Sequence, residues 1–446
     1  MEREKIHVVS LGCPKNLVDS EVITAGLMTD GREITADPEE ASIIIVNTCA
    51  FILPAKEESI DEIFRMAQMK ETGRCRYLVV AGCLPQRYGA ALAGEIPEVD
   101  LFVGTGEVPR IVELVRDMER GELPRDRTCV GEPAFMMRAS DPRVIATPPH
   151  MAYLKIAEGC SNRCSYCVIP TVRGRFRSRG IADVIEEADN LARRGVKEII
   201  ITAQDTTAYG RDLQRGVTLS KLLKELVAVD GIEWIRLLYT YPHTITDELL
   251  ETVAREEKIC NYLDIPVQHI DDRVLAAMKR RGDSALIRET LARTRRIIPG
   301  VAIRTSLIVG FPGETAAEFK NLLDFVREAR FDHLGVFMYS QEEGTEAAAL
   351  PRQVPERVKE SRRAVIMEEQ SLISYEINET LIGREEDMVI EGISEVDGYD
   401  YVGRVRRQAP DIDGVTYLIS KKRTPGNIVP CRITGCGEYD LYAEEV

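Results

Sequence analysis

At 446 residues the chain is long enough for about three domains, and 44% apolar with 29% charged residues is the balance of an ordinary globular protein. No run of roughly 18 apolar residues occurs, which excludes a transmembrane helix, and the start Met1-Glu-Arg-Glu-Lys-Ile-His7 lacks the apolar stretch of a secretory signal. Eleven cysteines, an odd number in a long chain, favour a reducing, cytoplasmic setting and metal ligation over disulfides, and a net charge of −15 argues against nucleic acid as the default partner.

Residues 1–139 alternate short β-branched runs with amphipathic stretches. Strands are predicted at His7–Ser10, Ser42–Asn47, Tyr77–Ala81 and Asp100–Gly104, with helices between them such as Ala55–Met69. This rhythm predicts a small parallel α/β sheet. Cys13, Cys49 and Cys83 each lie just past one of the first three strands. In an open parallel sheet those strand ends share one edge, so three distant cysteines are predicted to converge there. A structural zinc site normally takes four protein ligands and no histidine follows these strands, which favours a three-cysteine iron–sulfur site over zinc or core cysteines. Cys75 and Cys129 lack that placement and read as buried or incidental. Between 120 and 150 the turn formers Gly121, Pro124, Pro133, Pro142, Pro148 and Pro149 read as a linker, with His150 at its surface or hinge.

From Tyr153 the βα rhythm returns at longer period. Strands are predicted at Tyr153–Ala157, Lys197–Ala203, Trp234–Tyr239, Tyr262–Val267, Val301–Val309 and His333–Tyr339, with helices at 182–193, 219–229, 246–255, 284–298 and 315–330. Six βα units predict a partial barrel whose active face is the carboxyl end of its strands. The loop after the first strand carries Cys160-Ser-Asn-Arg-Cys164-Ser-Tyr-Cys167. Three soft thiolates at C-x3-C-x2-C spacing can ligate three corners of a [4Fe–4S] cube and leave one iron open. The same spacing falls on one helix face and would suit core cysteines, but Gly159, Ser161, Asn162 and Pro170 favour a loop. Gln204, Asp205 and Thr206 follow the second strand, Tyr241, Pro242 and His243 the third, and Gln268 and His269 the fourth. Each set is placed either to meet a ligand or simply to be solvated. Arg173, Arg175, Arg177 and Arg179 alternate and, if extended, project on one side, as a solvated basic strand or toward a carboxylate of cofactor or substrate.

Pro355 to Thr380 reads as a long polar helix that connects domains. Residues 381–446 then give short strands separated by Gly, Asp and Pro, which predicts a small antiparallel barrel of OB type. Cys431 and Cys436 there suit packing. Residues 373–446 hold fifteen acidic and eight basic side chains, a net charge of −7, with Asp411 and Asp413 among the acids. An RNA-gripping barrel should be basic, so an acidic one suits a basic protein partner.

The cysteine loop, with Tyr166 just before its last cysteine, closely resembles the signature of radical S-adenosylmethionine enzymes. That resemblance implies a cluster on Cys160, Cys164 and Cys167 whose open iron chelates S-adenosylmethionine for reductive cleavage. It also implies cofactor contacts at Tyr166, Gln204, Asp205 and Gly310, the last in the segment Ile308–Glu314 that resembles the one lying against the adenosine. Along its whole length the chain resembles the methylthiotransferases, which implies a cluster-bearing N-terminal domain at 1–139, a radical barrel at 140–372 and a TRAM barrel at 373–446. Ser10–Glu21 (Ser-Leu-Gly-Cys-Pro-Lys-Asn-Leu-Val-Asp-Ser-Glu), Tyr262–Leu275, Tyr339–Glu346 and Ala409–Val415 resemble the branch that acts on an aspartate β-carbon of ribosomal protein S-twelve. The tRNA-modifying branch typically has Gly-Cys-Gln-Met-Asn where this chain has Gly12-Cys-Pro-Lys-Asn16, and Glu346 replaces a more usual proline. The resemblance implies a second [4Fe–4S] cluster on Cys13, Cys49 and Cys83, S-adenosylmethionine used twice, a cellular one-electron reductant, and S-twelve as substrate, alone or within the small ribosomal subunit. The rivals are a tRNA adenosine methylthiotransferase and a non-catalytic cluster carrier or RNA-binding adaptor.

Overall fold

The computed structural model of the chain describes residues 4–123 and 125–446. The expected non-secretory start at Met1–Arg3 and the turn expected at Pro124 fall outside those residues. The N-terminal region builds β1 (Lys5–Ser10), α1 (Pro14–Thr29), β2 (Glu33–Ile34), β3 (Ile43–Thr48), α2 (Leu53–Ala67), α3 (Met69–Thr72), β4 (Tyr77–Gly82), α4 (Cys83–Glu95), β5 (Leu101–Gly104), α5 (Ile111–Arg120) and β6 (Thr128–Cys129). Its six strands pair in parallel in the order β2-β1-β3-β4-β5-β6. The central strand β3, Ile-Ile-Ile-Val-Asn-Thr, is buried along its whole length, as a strand covered by helices on both faces must be.

The linker is pinned down at Arg143, which donates to Glu21 of α1 at 2.6 Å and pairs with Glu187 at 2.6 Å. His150 is not at the surface as expected; it is only 4% exposed. Its carbonyl accepts the backbone amides of Lys197 and Glu198, and Gly426 packs so closely that a Cβ there would lie 2.8 Å from the His150 Cβ.

The second region runs through β7 (Met151–Lys155), β8 (Ala157–Glu158), α6 (Ile169–Arg173), β9 (Arg177–Ser178), α7 (Ile181–Arg193), β10 (Glu198–Thr202), α8 (Leu219–Val227), β11 (Trp234–Leu237), α9 (Asp247–Arg255), β12 (Ile259–Asp264), α10 (Asp272–Ala277), α11 (Ser284–Ile297), β13 (Ala302–Val309), α12 (Ala316–Ala329), β14 (His333–Met338) and α13 (Glu356–Glu379). Six parallel strands in the order β14-β13-β12-β11-β10-β7 form the partial barrel. The side chains alternate by face. Leu154, Ile199, Ile201, Leu237, Leu263 and Ile303 join the apolar layer beneath the helices, while Lys155, Glu198, Arg236, Asp264 and Arg304 take the other side. α13 is more than the expected connector. It buries Ile366 and Ile373, and its Gln370 donates to the Phe331 carbonyl at 2.7 Å, so it completes the helical layer over β14.

The last region, β15 (Glu385–Ile393), β16 (Tyr401–Val405), β17 (Thr416–Ile419), β18 (Ile428–Cys436) and β19 (Leu441–Glu445), closes into a barrel in the order β15-β16-β17-β19-β18. Its pairs are antiparallel as expected, with one correction: β17 and β19 run parallel. Cys431 is buried in its core and Cys436 packs against it.

The segment after β16 enters the amino-terminal end of the radical barrel. Glu198 accepts Arg236 at 2.8 Å and Arg404 at 2.6 Å. Tyr262 donates to Asp413 at 2.8 Å, and Arg407 donates to the Gly300 carbonyl at 2.6 Å. Asp413 is thus sealed against the barrel, away from any surface that a partner meets. Burial alone would raise the Glu198 carboxyl, but Arg404 and Arg236 together hold it down to about 2. The folded form therefore keeps this carboxylate ionised below its ordinary value of 4.5. That stability is fully present above the ordinary value and is lost as pH falls through about 2. Glu198→Gln leaves the buried Arg236 guanidinium without a carboxylate and Arg404 with Glu391 alone, and should cost about 3–5 kcal/mol at neutral pH. Urea denaturation checks this, and the gap between variant and parent should narrow as pH falls below the ordinary carboxylate range.

Candidate functional site

The expected convergence at the N-terminal sheet edge is present. Cys13 caps α1, Cys49 follows β3, and Cys83 opens α4. Glycine is required at two places for this. Gly12, at φ +87°, lies so close that a Cβ would come within 2.6 Å of the Cys49 Cβ and 3.0 Å of its Sγ. Gly82, at φ +96°, lets the chain turn into α4 against Asn47 and Thr48. Burial, and then the neighbouring Cys83 and Cys13 sulfurs, push the Cys49 thiol up to about 12. Burial raises Cys83 too. Thiols that crowd one another out of water hold their protons until a cation replaces them.

The second triad lies in the loop between β8 and α6. Cys160 is pushed to about 11 by burial, with Cys164 contributing, and Cys167 to about 12 by burial and then Cys164. The loop is clamped on both sides: Ser165 donates from its amide to the Met278 carbonyl at 3.0 Å and accepts the Ala347 amide at 2.8 Å. Arg280, half-buried, lies over the Tyr241 ring at 4.0 Å and acts on Cys164 and Tyr166, bringing a cation to the thiols. A single metal ion would need three donors within about 2.3 Å of one point, and among the described residues no such group exists. A cubane cluster, in which each thiolate binds a different iron, spreads its donors further apart. Three soft thiols gathered at each place are the donor type such a cluster takes.

The four alternating arginines do not form one basic face. Arg173 ends α6 and Arg179 lies beyond β9, both buried, while Arg175 is exposed; helix and turn break the extended register. Nor do the buried two reach for cofactor carboxylates, because the protein supplies its own. Arg179 pairs with Asp183 at 2.7 Å and with Glu187. Arg173 pairs with Asp19, donates to Asn16 at 2.9 Å and acts on Cys83.

Of the expected cofactor residues, Tyr166 packs against the apolar group that includes Met278, Phe311 and Tyr339. Gln204 donates to Glu158 at 2.6 Å. Asp205 is buried and engaged: it accepts Asn162 of the cysteine loop at 2.7 Å, Thr207 at 3.0 Å and the Ala208 amide at 3.1 Å. Gly310, at φ +74°, lies under Lys359, whose Cγ would be 2.3 Å from a Cβ there. His269 is buried and accepts the Asp271 amide at 3.0 Å, and burial lowers it to about 4, so it is neutral. Sequence reasoning missed the polar row of α1. Lys15, Asn16 and Asp19 are all buried against the barrel, and Lys155 donates to Asp19 at 2.5 Å. Their spacing on one helix face was the available signal.

Residues 154–326 match the Radical SAM superfamily, residues 5–104 match Uncharacterized protein family UPF0004 and residues 382–446 match the TRAM domain. The chain is 59% identical to the ribosomal protein uS12 methylthiotransferase RimO of Syntrophus aciditrophicus, over 100% of this chain and 99% of that protein. It is 53% identical to the RimO of Geobacter sulfurreducens, over 99% and 98%. The chain belongs to the RimO family. The fold is also that of the radical S-adenosylmethionine methyltransferase TsrM of Kitasatospora setae, at TM-score 0.58 and 15% identity over 89% of this chain and 78% of that one. Membership of the Radical SAM superfamily brings one [4Fe–4S] cluster and S-adenosylmethionine. Among the described residues no helix is long and apolar enough to cross a membrane.

Replacing Cys160, Cys164 and Cys167 together by Ala should leave about half the iron of the anaerobically reconstituted protein, and replacing Cys13, Cys49 and Cys83 should remove the other half. Loss of all iron in one triple variant, with none lost in the other, would mean that a single site holds everything.

Proposed function

We propose that this chain is a two-cluster radical enzyme that replaces a β-hydrogen of an aspartate in ribosomal protein uS12 by a methylthio group. Family membership carries the reaction, and the second crowded cysteine triad carries the two-site form of it. In this reading Cys160, Cys164 and Cys167 hold the cluster that meets S-adenosylmethionine, and Cys13, Cys49 and Cys83 hold the other. When bound, these groups supply one-electron cleavage of the sulfonium and the sulfur and methyl that are transferred. The chain's own residues supply position and exclusion. Asn162 and Asp205 fix the cysteine loop, Tyr166 seals its inner side, and Arg280 places a positive charge beside Cys164. The division at 1–139, 140–372 and 373–446 is proposed as the functional one, with a cellular one-electron reductant as a further partner.

The C-terminal barrel supports a protein substrate. Arg404, Arg406 and Arg407, three of its eight cations, face the radical barrel, which leaves its outer surface more acidic than its sequence. On that outer side Tyr399, Tyr417 and Tyr442 group together, with Tyr417 and Tyr442 stacked at 5.8 Å. Stacked tyrosines on an OB barrel also suit unstacked bases, which favours RNA as the second reading. The exposed acids Glu395 and Asp397, in the turn that leads to Tyr399, and Glu438, in the turn that leads to Tyr442, oppose phosphate and suit lysine and arginine side chains, which also sit well on aromatic faces.

Reversing Glu395, Asp397 and Glu438 to Lys should weaken uS12 binding about tenfold at low salt and flatten its salt dependence, because such rim charges are screened over about 8 Å at physiological ionic strength. Surface plasmon resonance at several salt concentrations measures it. Tight tRNA binding by the parent protein, with no affinity for uS12, would move the assignment to the RNA branch.

A further inference from the structure

A cation buried without a counter-charge is costly, so proteins pair them. Seven lysines and arginines are buried among the described residues, and six have a carboxylate within ion-pair distance. Lys15 is the seventh. It is 7% exposed, and among the described residues neither a carboxylate nor a hydrogen-bond acceptor reaches its Nζ. Its close contact is the face of the Tyr239 ring, 3.3 Å from Nζ to the ring centre.

The surroundings make this an arrangement and not an accident of packing. Lys15 stands next to Cys13 in the chain and points toward the carboxyl ends of the barrel strands, where Tyr239 follows β11. Tyr239 holds a left-handed backbone, φ +59°, that a bulky residue rarely adopts. Two bonds fix it there: its amide donates to Asp264 at 3.0 Å, and its carbonyl accepts the Thr206 amide at 2.9 Å. The nearby carboxylates are already taken. Glu158 pairs with Lys155 at 2.8 Å, and Asp264 with Arg304 at 3.3 Å. One lysine ammonium without a carboxylate partner, backed by an aromatic face, is left two residues from the N-terminal thiol of Cys13.

We propose that Lys15 is the specificity-determining residue for the substrate: its ammonium receives the carboxylate of the target aspartate, with Tyr239 beneath it, and so holds the β-carbon in the space that Cys13 borders. The inference rests on the proposed function and adds the group that reads the acidic side chain. It follows that the enzyme tells aspartate from asparagine at this position, since the amide has the same shape and no charge.

The test compares the holoenzyme's affinity for uS12 with its affinity for uS12 whose target aspartate is replaced by asparagine. Contacts made elsewhere on uS12 cancel in that ratio. The parent enzyme should favour aspartate at least about tenfold, the range of one charge-assisted contact. Lys15→Met, similar in length and uncharged, should bring the ratio close to one, and Lys15→Arg should restore most of it. A ratio near one in the parent enzyme overturns the proposal without any variant. So does an undiminished ratio in Lys15→Met, and so does iron lost in that variant and regained in Lys15→Arg with the ratio unchanged, which would assign the charge to the cluster. Failure of the parent to modify uS12 at all would instead overturn the proposed function.

Discussion

One buried carboxylate ties the two cysteine triads together. Asp19 lies on α1 behind Cys13, accepts Lys155 at 2.5 Å and also pairs with Arg173. Lys155 ends the strand that leads into the second cysteine loop, and Arg173 ends the helix that leaves it. Three charges from two domains are therefore satisfied at one point, with Glu158 closing the group at 2.8 Å from Lys155. Removing one partner from such a group costs about 3–5 kcal/mol, because the others stay buried and uncompensated. Such a group is weak evidence for stability and better evidence for register: it is satisfied in only one docking of α1 on the barrel. Geometry at both triads depends on that docking.

Much of the fold was legible because its signals are local. Four β-branched runs and three cysteines just past them predicted the N-terminal sheet and its working edge, and Cys13, Cys49 and Cys83 do meet there. All six expected barrel strands are present, though the first starts two residues earlier than expected, at Met151, and the fourth three residues earlier, at Ile259. What failed was whatever depends on a distant partner. The arginines from 173 to 179 alternate as a strand would, yet a helix and a turn separate them, because buried carboxylates on α1 and α7 decide where they point. His150 reads as a hinge residue amid prolines, and is buried by a loop nearly three hundred residues later in the chain. The polar row on α1 was not singled out, because its spacing shows one helix face but not that a barrel covers it.

The same limit applies to charge. The acidic excess of the C-terminal region was visible by counting, but its distribution was not. Arg404, Arg406 and Arg407 turn inward with Asp413, so this barrel is joined to its neighbour by cations and presents acids outward. A count sums the two faces; only the fold separates them.

That separation has a consequence for the chemistry. The C-terminal barrel occupies the amino-terminal end of the radical barrel, and its docking rests on Glu198, which would be an isolated buried charge without Arg404 and Arg236. With that end occupied, a substrate must approach the carboxyl ends of the strands, on the side where α1 and both triads lie. Radical chemistry rewards such closure, since a reactive intermediate that met water or a stray side chain would be quenched. In the proposed function the OB barrel does two things with opposite faces: its basic inner edge covers the amino-terminal end of the radical barrel, and its acidic, tyrosine-bearing outer face engages a basic protein. Neither role interferes with the other, because the cations that serve the first are removed from the surface that serves the second.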